Sequence, residues 1–70
     1  LADGAVPKKY KELMAVAVAL TTQCVYCIEI DRNSALEAGA TEAELTETIH
    51  VAAALRAGAA IPHGTHLLEP

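Results

Sequence analysis

Seventy residues, 53% of them apolar and carrying a formal net charge of −4, allow one small domain spanning residues 1–70. Five Lys and Arg against nine Asp and Glu leave no surface able to neutralise a run of phosphates, which excludes a nucleic-acid binder. The longest uncharged apolar run, LMAVAVAL, is too short to span a bilayer and lacks the basic start and small-residue cleavage site of a secretion signal.

The apolar fraction is mainly alanine, with no Phe or Trp, two Tyr and one Met. Each buried residue therefore contributes little area, and chains of this size bury only about 60% of their unfolded surface. A lone copy would be marginal, so an obligate homo-oligomer is predicted. The opening LADGAVPKK reads as the middle of a longer chain, with residues expected before it.

The elements are all helical, and the predicted fold class is all-α. Pro7 suits a first helical position. From there Leu13, Val16 or Ala17, and Leu20 recur at helical spacing, predicting a first helix from about Pro7 to about Leu20. Thr21-Thr22-Gln23 interrupts the period and offers hydroxyl caps, so a second helix begins at or near Cys24. Its stripe is Cys24, Cys27 or Ile28, Ala35 and Ala38, with Gly39 just past its end.

Thr41 to Glu44 has the capping-box form. The third helix then turns Leu45, Ile49, Ala52 and Ala53 inward, with Gly58 near its end. A Pro62-led segment, PHGTHLL, is expected as a short separate last helix.

Cys24 and Cys27 are the chain's two cysteines. At a spacing of three they share a helix face, close enough to bridge. A cysteine opening a helix has its thiolate stabilised by unpaired N–H groups and the positive dipole end, which suits disulfide exchange and peroxide reduction. Without an export signal the pair points to a reducing cytoplasm, where such pairs are more often catalytic or metal-binding than structural.

The alternative of two small buried hydrophobes is weaker at a helix start. A closed zinc site needs four ligands, and the further candidates are only Asp31, His50, His63 and His66. A Cys/His/Asp metal site stays as a minor alternative, with no metal and no cofactor assigned. His50, between Ile49 and Val51, is expected to be partly buried with one hydrogen bond.

Glu12 precedes Cys24 by twelve residues. CVYC, ALEAGATEAEL and an alanine-rich stretch ending in RAG follow. Over about Lys8 to Leu68 this combination resembles the alkylhydroperoxidase D-like branch of the carboxymuconolactone decarboxylase family, whose pattern is a glutamate, then CxxCxxxH, an alanine, a glycine and an acidic helix start. Asp31 departs from it, standing where the family has histidine. Tyr26 stands where some members carry a further histidine.

The resemblance implies a trimeric or hexameric helical protein acting as a thiol-dependent peroxidase or disulfide reductase. Its partners would be a peroxide and a dithiol reductant of lipoyl or thioredoxin type. It implies Cys24 and Cys27 as the redox pair and Glu12 in the proton relay, with the histidine's place falling to Asp31. The cysteine pair belongs to the redox branch rather than to ring-opening decarboxylation.

Glu12, in a helix that otherwise buries apolar residues, is a candidate base; the alternative is an exposed carboxylate paired with Lys8, Lys9 or Lys11. For Asp31 several roles stay open. It works as an acid in a dry pocket, or His63 or His66 replaces the missing imidazole, or it faces solvent beside Arg32, or the chain is a non-catalytic helical binding module.

Overall fold

The computed structural model describes residues 1–68, so the last two residues of the predicted domain lie outside the described part. Three helices form: α1 (Lys8–Thr22), α2 (Val25–Glu37) and α3 (Glu42–Gly64), followed by a single 3-10 turn (Thr65–Leu67). No strand occurs among the described residues, as the all-α reading expects.

Helix α1 starts one residue later than predicted. Pro7 is its extended N-cap, and its carbonyl accepts the Tyr10 and Lys11 N–H groups. The Asp3 carboxylate accepts the Lys8 N–H at 2.6 Å, filling the role a prolyl side chain cannot. At the far end the Thr21 and Thr22 hydroxyls do not cap the next helix. They donate back to the Val18 and Ala19 carbonyls, which extends α1 past Leu20.

Gln23 then takes the left-handed conformation, φ 58°, and turns the chain. Because α2 follows after only Gln23 and Cys24, the two helices form an antiparallel hairpin. Ala38 and Gly39, at the end of α2, accordingly flank the same hollow as Pro7 to Tyr10. Gly39, at φ +99°, ends α2 where glycine is predicted, since only glycine adopts that angle without steric cost.

The capping box at the start of α3 forms in full. Thr41 Oγ1 accepts the Glu44 N–H at 3.1 Å, and Glu44 Oε1 accepts the Thr41 N–H at 2.9 Å. Glu44 also reaches Lys9 of α1 at 3.0 Å, tying the beginnings of α1 and α3 together. Helix α3 therefore runs alongside α1 in the same direction. It is longer than α1 by eight residues, about 12 Å of rise, and so projects past the α1–α2 turn.

The core is small and alanine-rich. Val16, Ala35 and Ala40 are buried, with Leu13, Leu20 and Leu45 packed against them. Ala35 is wholly inaccessible because a methyl group lets α1 and α2 approach closely. Helices α2 and α3 each pack on α1 but not on each other.

That arrangement corrects the third-helix stripe. Leu45 is half-buried and Ala52 buried, but Ile49 and Ala53 are exposed, since α1 covers only one narrow face of α3. His50 is likewise exposed rather than partly buried. Nor does the helix end near Gly58: α3 continues through Pro62 to Gly64, so PHGTHLL divides between the end of α3 and the short 3-10 turn Thr65–Leu67. A proline there forfeits the hydrogen bond to the carbonyl four residues back. Residues 53 to 63 are all exposed, so water can satisfy that carbonyl.

The exposed apolar surface is large for so small a chain. Leu55, Ile61, Leu67 and Leu68 are each at least 70% exposed, as are Val25 and Tyr26 on α2. The radius of gyration is 14.7 Å, against about 11 Å for a compact chain of this length.

Candidate active site: a cysteine pair at a helix start

The α1–α2 turn creates the site. Cys24 is the N-cap of α2, with extended backbone, and its Sγ accepts the Cys27 N–H at 3.2 Å. Its carbonyl accepts the Ile28 N–H at 2.9 Å, beginning the helix, while its own N–H donates back to Ala19 of α1. The backbone of Cys24 thus belongs to both helices at once. Its side chain stands over the free N–H groups of α2, where the predicted hydroxyl cap is replaced by sulfur.

The two cysteines form a disulfide with Cα atoms 5.2 Å apart, well inside the usual range. Both are half-buried, and Val25 and Tyr26 between them are strongly exposed. The pair therefore sits at the surface, at the α1–α2 turn.

Asp31 lies one helical turn after Cys27 and on the same face of α2, half-buried. Its carboxylate makes no hydrogen bond or ion pair among the described residues. Arg32, its sequence neighbour, donates instead to Asn33 at 3.4 Å.

Glu12 is 5% exposed, the single buried charged residue described. It pairs with none of Lys8, Lys9 or Lys11; Lys9 goes to Glu44 and Lys11 to the Ala2 carbonyl. The surface-pairing alternative therefore fails. Glu12 shares the buried face of α1 with Val16 and Ala19. Ala19, whose carbonyl accepts the Cys24 N–H, lies seven positions after Glu12, about 10 Å of helical rise.

In the antiparallel hairpin, α2 runs from the cysteines back toward the Glu12 end, and Asp31 is one turn along that way. Asp31 and Glu12 thus both lie along the hairpin on the side of the cysteine pair away from the α1–α2 turn. No hydrogen bond links the three among the described residues.

The three histidines lie elsewhere. His63, on the part of α3 that overshoots α1, and His66, in the 3-10 turn after it, are exposed, with ring centroids 5.9 Å apart. Among the described residues no three His, Cys, Asp or Glu side chains gather into a group able to hold a metal ion. No described helix is long and apolar enough to cross a membrane.

Two residues at this end of the hairpin are not marked as site residues by any motif. Gln23 and Arg56 border a cleft of about 330 Å³ between the end of α1 and the middle of α3, floored by Leu20, Ile49 and Ala52. Gln23 immediately precedes Cys24, but glutamine in a left-handed turn has no composition cue. Arg56 is separated from the cysteines by about thirty residues, and only the pairing of α3 with α1 brings it to this end.

Comparison with known proteins gives a relative and a family. The chain is 51% identical over 67 residues to "Uncharacterized protein 4 in cox locus" of Paracoccus denitrificans, a match covering 96% of this chain and 60% of that protein. The chain thus spans about three-fifths of that relative's length. The profile of the carboxymuconolactone decarboxylase family matches residues 1–70 throughout. With an all-helical hairpin carrying a CxxC pair at its turn, this chain belongs to the carboxymuconolactone decarboxylase family.

Proposed function

We propose that the protein is a thiol-dependent peroxidase or disulfide reductase of the alkylhydroperoxidase D-like branch, working through Cys24 and Cys27. The observation that carries this reading is the Cys27 N–H aimed at Cys24 Sγ at 3.2 Å. In the reduced protein that N–H, with the α2 dipole behind it, stabilises a thiolate on Cys24.

The Cys24 thiolate attacks the distal oxygen of a hydroperoxide. The O–O bond breaks and the alkoxide leaves as an alcohol, taking the proton that Cys24 gave up. Half-buried Asp31 and buried Glu12, on the two helices of the hairpin, are the groups that hold and return that proton. The Cys27 thiol then attacks the Cys24 sulfenic acid, forming the disulfide and releasing water. A dithiol reductant restores both thiols by exchange and is itself oxidised to its disulfide. Each turn moves two electrons from that reductant to the peroxide.

The working form is a homo-oligomer, a trimer or hexamer, which the exposed apolar length of α3 favours. A cytoplasmic setting would keep the returning dithiol reduced. The test is turnover of an alkyl hydroperoxide with a dithiol reductant. Activity is expected in the native chain and lost in Cys24→Ser, Cys27→Ser and the double variant; equal rates in the native and double-serine proteins refute the reading.

One observation favours a second reading. An aspartate one turn from Cys27 brings a negative charge that opposes thiolate formation, where an imidazole would assist it. The chain would then be a helical binding module that kept the scaffold and lost the chemistry. Asp31→His separates the two: a large gain in turnover marks the natural chain as impaired, and no gain means its own carboxylates suffice.

A further inference from the structure

The cleft bordered by Gln23 and Arg56 has the features of a small-molecule site. Its volume, about 330 Å³, falls within the range of ligand pockets. Its floor is aliphatic, from Leu20, Ile49 and Ala52, and its polar groups come from Thr21, Gln23 and Arg56. Its edge is one peptide unit, about 3.8 Å between Cα atoms, from Cys24.

Arg56 makes no ion pair or hydrogen bond among the described residues, although the chain has more acids than bases. The Thr21 hydroxyl on the cleft wall is already engaged, donating to the Val18 carbonyl at 2.8 Å. A guanidinium at the mouth of an aliphatic cleft matches a ligand with an alkyl chain and a carboxylate. It is poorly suited to cover by an apolar helix, which would desolvate the charge without compensation.

We propose that this cleft holds the alkyl chain of a carboxylate-bearing hydroperoxide, with Arg56 reading the carboxylate and Gln23 placing the chain beside Cys24. Arg56 is then a specificity-determining residue, and the substrate class is the amphiphilic acid hydroperoxides. The proposal rests on the peroxidase reading for its chemistry. The distal peroxide oxygen passes to Cys24 and the hydroxy acid leaves, two electrons having come from the dithiol reductant.

The test separates binding from turnover. Octanoate and methyl octanoate are titrated into the full chain, and amide shifts are followed by NMR, with Arg56→Met keeping the apolar stem and Arg56→Lys keeping the charge. Octanoate is expected to bind about fivefold more tightly than its ester, as a partly exposed ion pair gives. Shifts should centre on Gln23 and Ala53, and the preference should vanish in Arg56→Met and persist in part in Arg56→Lys.

In turnover, Arg56→Met should raise KM about fivefold for a medium-chain acid hydroperoxide but not for its methyl ester. Equal affinities for acid and ester, a preference that survives Arg56→Met, or no binding because a second copy covers the cleft each overturn the assignment. Octanoate preference without peroxide turnover overturns the peroxidase reading and leaves the acid site standing.

Discussion

Replacing Leu55 by aspartate puts a charge on the part of α3 that no other element of the chain covers. The magnitude follows from the surface. The chain exposes 5209 Å², whereas a compact monomer of 7.3 kDa exposes about 4200 Å². The surplus, on the order of 1000 Å² per copy, is enough for two copies to form an interface in the range of obligate dimers.

Leu55 is 70% exposed, and burying a leucine contributes about 1.5–3 kcal/mol. In a symmetric contact the change is made in both subunits, so Leu55→Asp should weaken association by roughly a hundredfold or more. Sedimentation velocity over a dilution series, with melting followed by circular dichroism, measures this. The native chain is expected to be oligomeric with a melting temperature that rises with concentration. A native chain that sediments as a monomer, with a concentration-independent melt unchanged by Leu55→Asp, would refute the reasoning.

Thr41→Ala removes the acceptor for the Glu44 N–H at the start of α3 and should cost about 1 kcal/mol in urea unfolding. Gln23→Gly relieves a left-handed turn residue and should stabilise the hairpin by about 1 kcal/mol on the same assay. The Thr41 N–H, and after it Lys9, hold the Glu44 carboxyl below the usual carboxylate range. Its contribution is therefore complete above about pH 4.3, the unfolded value, and is lost as pH falls through the lower folded value. Glu44→Gln should flatten that part of the urea-midpoint profile. On the basic side the Glu44 hydrogen bond raises Lys9, so its share is complete below about pH 10.4 and fades as pH rises through the higher folded value.

Helix type and the first three helix starts were legible in the sequence because their punctuation is local. Gly39 and the Thr41–Glu44 box act within four residues, and both stand where predicted. The α1–α2 turn was located but its mechanics were not: two threonines that look like caps bond backward, and a cysteine sulfur caps instead. The inward stripe of α3 was misjudged at Ile49 and Ala53 because periodicity gives a face, not how much of it a single neighbour covers. The end of α3 was misjudged because Pro62 breaks a helix only where its lost bond goes unsatisfied.

At the site, the cysteine pair and its helix start were readable, and the burial of Glu12 removes only the reading of it as a surface partner of Lys8, Lys9 or Lys11. The cleft was not readable at all. Gln23 and Arg56 are brought together by the parallel run of α1 and α3, which depends on contacts between distant segments.

The most direct measurement is a single turnover of the reduced protein with an alkyl hydroperoxide, in the absence of reductant. Intact mass and the alcohol formed are read together over time. The proposed chemistry predicts loss of two hydrogens per chain, one alcohol per disulfide, and a rate well above that of a free thiol. Cys27→Ser should stop at the Cys24 sulfenic acid, one oxygen heavier. Thiols that stay reduced, or that oxidise no faster than free cysteine and without matching alcohol, would contradict it.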